Sequence, residues 1–103
     1  MQQKLLVIVV GENDRFEGVP LYEAIVRKLM QLSVPGANVQ RGIMGFGRHH
    51  TRLHHERLFG VVDDRPVTIS VVHDEAALRD SVIPAVRTML RHELMFLSDV
   101  EMV

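Results

Sequence analysis

One hundred and three residues, 47% apolar and 24% charged, make one small domain with its own core and exclude a disordered chain. The formal charge of −1 argues against a dedicated nucleic-acid binder, and the absence of cysteine removes disulfide frameworks, thiolate zinc sites and cysteine nucleophiles. No stretch reaches the roughly 20 apolar residues of a membrane span and no cleavage-site pattern follows the start, so the expectation is a cytoplasmic protein with a single domain over residues 1–103.

Leu5 to Val10 is a six-residue apolar run closed by Gly11, which predicts a strand apolar on both faces. The polar stretch from Gly11 to Gly18 reads as a loop. Pro20 suits the first turn of a helix, and Leu21, Ile25, Leu29 and Leu32 recur at helical spacing until Ser33-Val34-Pro35-Gly36 stops it. Ala37 to Met44 is the second strand. Leu58 to Val62 gives a short apolar piece, with Asp63-Asp64 as a solvated turn. Val67, Ile69 and Val71 then alternate with Thr68 and Ser70 in a third strand. Asp74 is placed as the N-cap of a second helix carried by Leu78, Val82 and Val86, which Pro84 should kink or restart. Leu94 to Val103 closes the chain as a half-exposed strand, with Val100 and Met102 alternating against Asp99 and Glu101.

This order is β-α-β, a long loop, then β-α-β: an α+β, ferredoxin-like βαββαβ sandwich with the long loop between strands two and three. Both helices then cover one face of the sheet. Because the first strand is apolar on both sides, its second face needs a cover, and another copy of the chain is the economical one. On this reading Ile8→Lys should give monomers or aggregate.

Gln40 to Arg48 is the stretch that resembles a site. Gly42, Gly45 and Gly47 fall within six residues, between Arg41 and Arg48, and His49, His50, His54 and His55 follow closely. Guanidinium groups offer paired donors to phosphate oxygens, and glycines let backbone amides converge on an anion. The candidate ligand-binding residues are therefore Arg41, Gly42, Gly45, Phe46, Gly47 and Arg48, with Glu12, Asp14 and Arg15 able either to line the same cleft or to form salt bridges between subunits. The alternative chemistry is a divalent metal, zinc or copper, held by His50 and His54 at i, i+4 in a helical segment, although the neighbouring arginines oppose it. Near pH 6 the same histidines would gain charge and could tighten on an anionic partner. Serines 33, 70, 81 and 98 sit in no nucleophile motif, so no catalytic residue is assigned and the expectation is a non-enzyme.

Gly11-Glu12-Asn13-Asp14-Arg15, Gly18-Val19-Pro20-Leu21-Tyr22-Glu23-Ala24-Ile25-Val26 and Arg41-Gly42-Ile43-Met44-Gly45-Phe46-Gly47 together resemble the family known as domain of unknown function 190, a branch of the PII-like proteins. The resemblance implies a ferredoxin-like homotrimer. It also implies a small-molecule anionic ligand, an adenine nucleotide foremost, in clefts between subunits where the base of the long loop meets the neighbour. The loop would then engage or release a regulated protein such as a membrane transporter or channel. Two departures stand against copying the PII ligand set. His49 occupies the place of the glutamine that follows the Gly-Phe-Gly-Arg run in PII proteins, and Thr88 to Leu94 has neither the glycines nor the lysine of their phosphate-binding loop.

Overall fold

The computed structural model describes residues 2–44 and 64–103. Its central strand is β1 (Gln3–Gly11), flanked on one side by the last strand and on the other by the strand that follows the long loop. The first crossover contains a small hairpin, β2 (Arg15–Phe16) and β3 (Val19–Pro20), before helix α1 (Leu21–Gln31). Strand β4 (Asn38–Arg41) precedes the loop and β5 (Pro66–Asp74) follows it. A second helical segment runs as α2 (Glu75–Ala77), a π-helical turn over Leu78–Val82, and α3 (Ile83–Arg87). Strand β6 (Leu94–Asp99) completes the sheet, whose order is β4-β5-β1-β6 with every neighbouring pair antiparallel. This is the expected ferredoxin-like topology.

Alternation along β1 sets the two faces. Leu6, Ile8 and Val10 are buried against the helices, together with Val67, Ile69 and Val71 of β5. The helices contribute Leu21, Ile25 and Leu29 from α1 and Leu78, Val82 and Val86 from the second segment, so one stripe per helix seals one side of the sheet. The opposite face carries Leu5, Val7 and Val9, which stand beside Val72, Ser70 and Thr68 of β5 and beside Ser98, Phe96 and Leu94 of β6. No element among the described residues covers it, and Leu94 and Phe96 remain 56% and 44% exposed. One expectation is corrected here. Ile8 is 0% exposed on the helix side, so Ile8→Lys would unfold the domain, and Val7 is the residue that reports on the bare face.

Three local details differ from the sequence reading, each for a physical reason. The small hairpin arises because Glu17 and Gly18 both take positive φ, 49° and 86°, as type I′ turns require. Helix α1 ends on Ser33, which takes φ 61°, while its amide bonds Met30 and that of Val34 bonds Leu29; this is a Schellman closure, with serine in the left-handed position that glycine usually fills. The second helix does restart at Pro84, but through a π turn and not a simple break. The π turn before it has the Ile83 amide bonded to the Leu78 carbonyl, an i to i−5 bond, and Pro84 opens the next α segment, where its missing N–H is tolerated. Asp74 caps the segment as expected, its carboxylate accepting the Ala77 amide at 3.2 Å. Among the described residues no helix is long and apolar enough to cross a membrane.

Candidate functional site

The ends of four strands gather at one rim of the sheet: the C-terminal ends of β1 and β4, and the N-terminal ends of β5 and β6. Antiparallel pairing dictates this, since Gly11 stands opposite Pro66, Arg41 opposite Val67 and Val9 opposite Leu94. The long loop leaves and re-enters the fold here. Two backbone bonds close its root, from the Gly42 amide to the Pro66 carbonyl at 2.6 Å and from the Glu12 amide to the Arg65 carbonyl at 2.7 Å.

Of the residues singled out from sequence, Arg41 and Glu12 are brought together. An Nη2 of Arg41 lies 2.8 Å from Glu12 Oε2 across the end of β5, with the side chains 53% and 25% exposed. A pair that open has little net value for stability, but it aims the guanidinium and leaves its remaining donors to solvent. Asp14 turns inward: its Oδ2 accepts the Gly11 amide at 2.7 Å, while its own carbonyl accepts the Leu21 amide, tying the turn to α1. Arg15 donates to the Gly18 carbonyl at 2.8 Å and braces the small hairpin. Gly42 lies where a side chain would collide, since an added Cβ would sit 2.7 Å from Cγ of the Pro66 ring. Gly42→Ala is therefore expected to cost about 1–3 kcal/mol by overpacking a rigid neighbour, read as a lower urea midpoint; an unchanged midpoint would show that the root can yield. Gly45, Phe46, Gly47, Arg48 and the metal candidates His50 and His54 lie outside the described residues. Among the described residues no group of three or more His, Cys, Asp or Glu could hold a metal ion.

Three further residues complete this rim. Asp64 accepts the Asn13 amide at 2.9 Å and approaches Gly11 closely enough that an added Cβ would meet its Oδ2 at 2.9 Å. Arg65 carries a buried Nε with no hydrogen-bond partner among the described residues, although polar atoms so placed nearly always have one. Glu93, after the second helix, accepts the Arg91 and His92 amides at 2.6 and 3.1 Å. Sequence reasoning passed over Arg65 and Glu93 because single charges beside a turn look like solvated surface. The dipeptide Arg65-Pro66, with a proline that fixes the loop's re-entry, was the available signal.

These carboxylates titrate apart. Burial pushes Asp14 above the ordinary aspartate value of 3.8, and repulsion from Glu93 and Asp64 adds to it against the lowering effect of the Gly11 amide. Burial acts on Glu93 in the same sense, but the amides of Arg91, Glu93 and His92 outweigh it and hold Glu93 below 4.5. A raised Asp14 means that its ionised form fits the fold less well than the unfolded chain. Its contribution is therefore intact below 3.8 and is lost as pH rises through the raised value. Asp14→Asn keeps an acceptor for Gly11 and removes the penalty. Its melting temperature relative to the parent is expected to climb as pH rises through the window just above 3.8; a difference that is flat with pH would contradict the assignment.

The chain belongs to the DUF190 family, described as Uncharacterized ACR, COG1993, whose model matches residues 3–102. It is similar to a UPF0166 protein of Aquifex aeolicus, 29% identical over 79 residues that span 77% of this chain and 74% of that one. It also matches a UPF0166 protein of Methanocaldococcus jannaschii, 38% identical over 47 residues, 46% of this chain and 44% of that protein. Among solved structures it resembles CPII from Thiomonas intermedia K12, determined with ADP and bicarbonate bound, with a TM-score of 0.60, 19% identity, and coverage of 97% of this chain and 87% of that one. The fold is thus PII-like.

Proposed function

We propose that this DUF190 member is a non-enzymatic, PII-like regulator of the cytoplasm. It assembles as a homotrimer with the bare sheet faces inward and binds a small anionic ligand, an adenine nucleotide, at the rim where the long loop is rooted. One observation carries the ligand reading: two arginines flank the loop's root, one with exposed donors already aimed by Glu12 and one whose buried Nε has no acceptor among the described residues. A phosphate or carboxylate oxygen supplies what both groups need. The apolar face of Leu5, Val7, Val9, Val72, Leu94 and Phe96 supports the assembly, since soluble proteins seldom leave such a surface bare.

Mechanistically, the Arg41 guanidinium would take the ligand's charged end while the Glu12 carboxylate holds it in orientation or accepts a ribose hydroxyl. Arg65 would give its Nε–H from beneath. Because Gly42 packs on Pro66, a ligand that moves either arginine also moves the loop's two stems, which gives the loop a means to report occupancy to a protein partner such as a transporter or channel. The test is a thermal-shift comparison of metal-stripped protein with adenine nucleotides, cyclic nucleotides, 2-oxoglutarate, zinc and copper. A rise with a nucleotide supports this reading, and a rise with zinc or copper alone, lost on replacing His50 and His54, would replace it with the metal reading.

A further inference from the structure

We propose that residues 100–103 of one copy of the chain pair as an added strand along the free edge of β6 in a neighbouring copy, with Glu101 set against Arg87. The sequence alternates Asp99, Val100, Glu101 and Met102 as a strand does, yet β6 stops at Asp99 and the residues after it pair with nothing among those described. Met102 is 63% exposed. A strand pattern is present without a strand to pair it.

The matching vacancy lies on β6 itself. Among the described residues it is an edge strand bonded to β1 on one side only, and open edges are usually paired, covered or blunted. A groove of about 380 Å³ runs beside it, walled by Arg79, Ile83, Pro84 and Arg87 of the second helical segment and by Met95 and Phe96 of β6. A water's share of liquid is about 30 Å³, so this space takes side chains. Arg79 is held by Glu75 at 2.7 Å, whereas Arg87 and Glu101 have no ion pair among the described residues.

Strand geometry assigns the two faces of the added segment. With Glu101 turned to the helix side, toward Arg87, Val100 and Met102 fall on the bare side, next to Leu94 and Phe96, and extend the apolar face already there. Residues 100–103 cannot lie as a four-residue strand on their own edge, because reversing the chain after Asp99 would use at least two of them in the turn. Donation from one copy to the next is head-to-tail, the kind of contact that closes a ring. The inference shares with the proposed assembly the need for a second copy, but it concerns the edge of the sheet and not its face.

The parent has no cysteine, so cross-linking is free of background. Met102→Cys chains co-expressed with Phe96→Cys or Leu94→Cys chains and then oxidised should give mixed disulfide dimers on the order of tenfold or more above those formed with Gln31→Cys, an exposed position on α1. Adding Glu101→Arg to the Met102→Cys chain should reduce the cross-link, and Arg87→Glu in its mate should restore it. Yields no higher than the Gln31→Cys control, in a protein that sediments as an oligomer, would overturn the edge pairing alone. A parent that sediments as a monomer would overturn it together with the assembly.

Discussion

Val7→Lys is expected to turn the proposed trimer into a folded monomer. Val7 lies on the bare face, between Ser70 of β5 and Phe96 of β6, and makes no contribution to the core that the helices seal. In a sheet-to-sheet interface an unpaired ammonium is left buried, at a cost of about 3–5 kcal/mol, which weakens association by roughly two to four orders of magnitude. The helical circular dichroism should be kept, because Leu6, Ile8 and Val10 still hold the helices in place. Ile8→Lys is the contrasting control: its charge falls among buried residues and should abolish cooperative unfolding. If Val7→Lys sediments like the parent, the bare face is not where the subunits meet.

Arg41→Ala is expected to weaken binding of the proposed anionic ligand by roughly ten- to hundredfold, the value of a charge-assisted contact of about 1.5–3 kcal/mol. The fold should tolerate it. Arg41 is exposed, its one described partner is Glu12, and an ion pair that open contributes little to stability. The change should therefore separate binding from stability, with the unliganded melting temperature near that of the parent and the ligand-induced rise lost. Glu12→Gln distinguishes the roles within the pair, since it keeps an acceptor to orient the guanidinium while removing the opposing charge. If Arg41→Ala binds as the parent does, the ligand is not held at the loop's root.

Much of the fold was legible because period and composition act locally. The apolar run Leu5 to Val10 reads as a strand and the Leu21, Ile25, Leu29 spacing as one helix face; the helix face and the alternate residues Leu6, Ile8 and Val10 form the core of the structure. What could not be read was which side of β1 each residue takes. A run with no polar member has no visible phase, so Ile8 was assigned to the wrong face until pairing with β5 and β6 fixed the register. The ends of elements were equally hidden. Nothing in Val100 to Val103 says that β6 stops at Asp99, opposite Lys4 and one residue short of the start of β1. At the site, sequence found Arg41 and Glu12 through their neighbouring glycines. It missed Arg65 and Glu93, which reach the rim only because antiparallel pairing brings the starts of β5 and β6 beside the end of β1.

The most direct test of the account is calorimetric titration of the metal-stripped, unmodified protein with ADP, with molar mass measured by sedimentation in the same buffer. The account predicts saturable binding to a trimer at one ligand per subunit, one for each rim. A monomer, or a trimer that gives no binding heat with ADP and no thermal shift with any nucleotide or other organic anion tried, would contradict it.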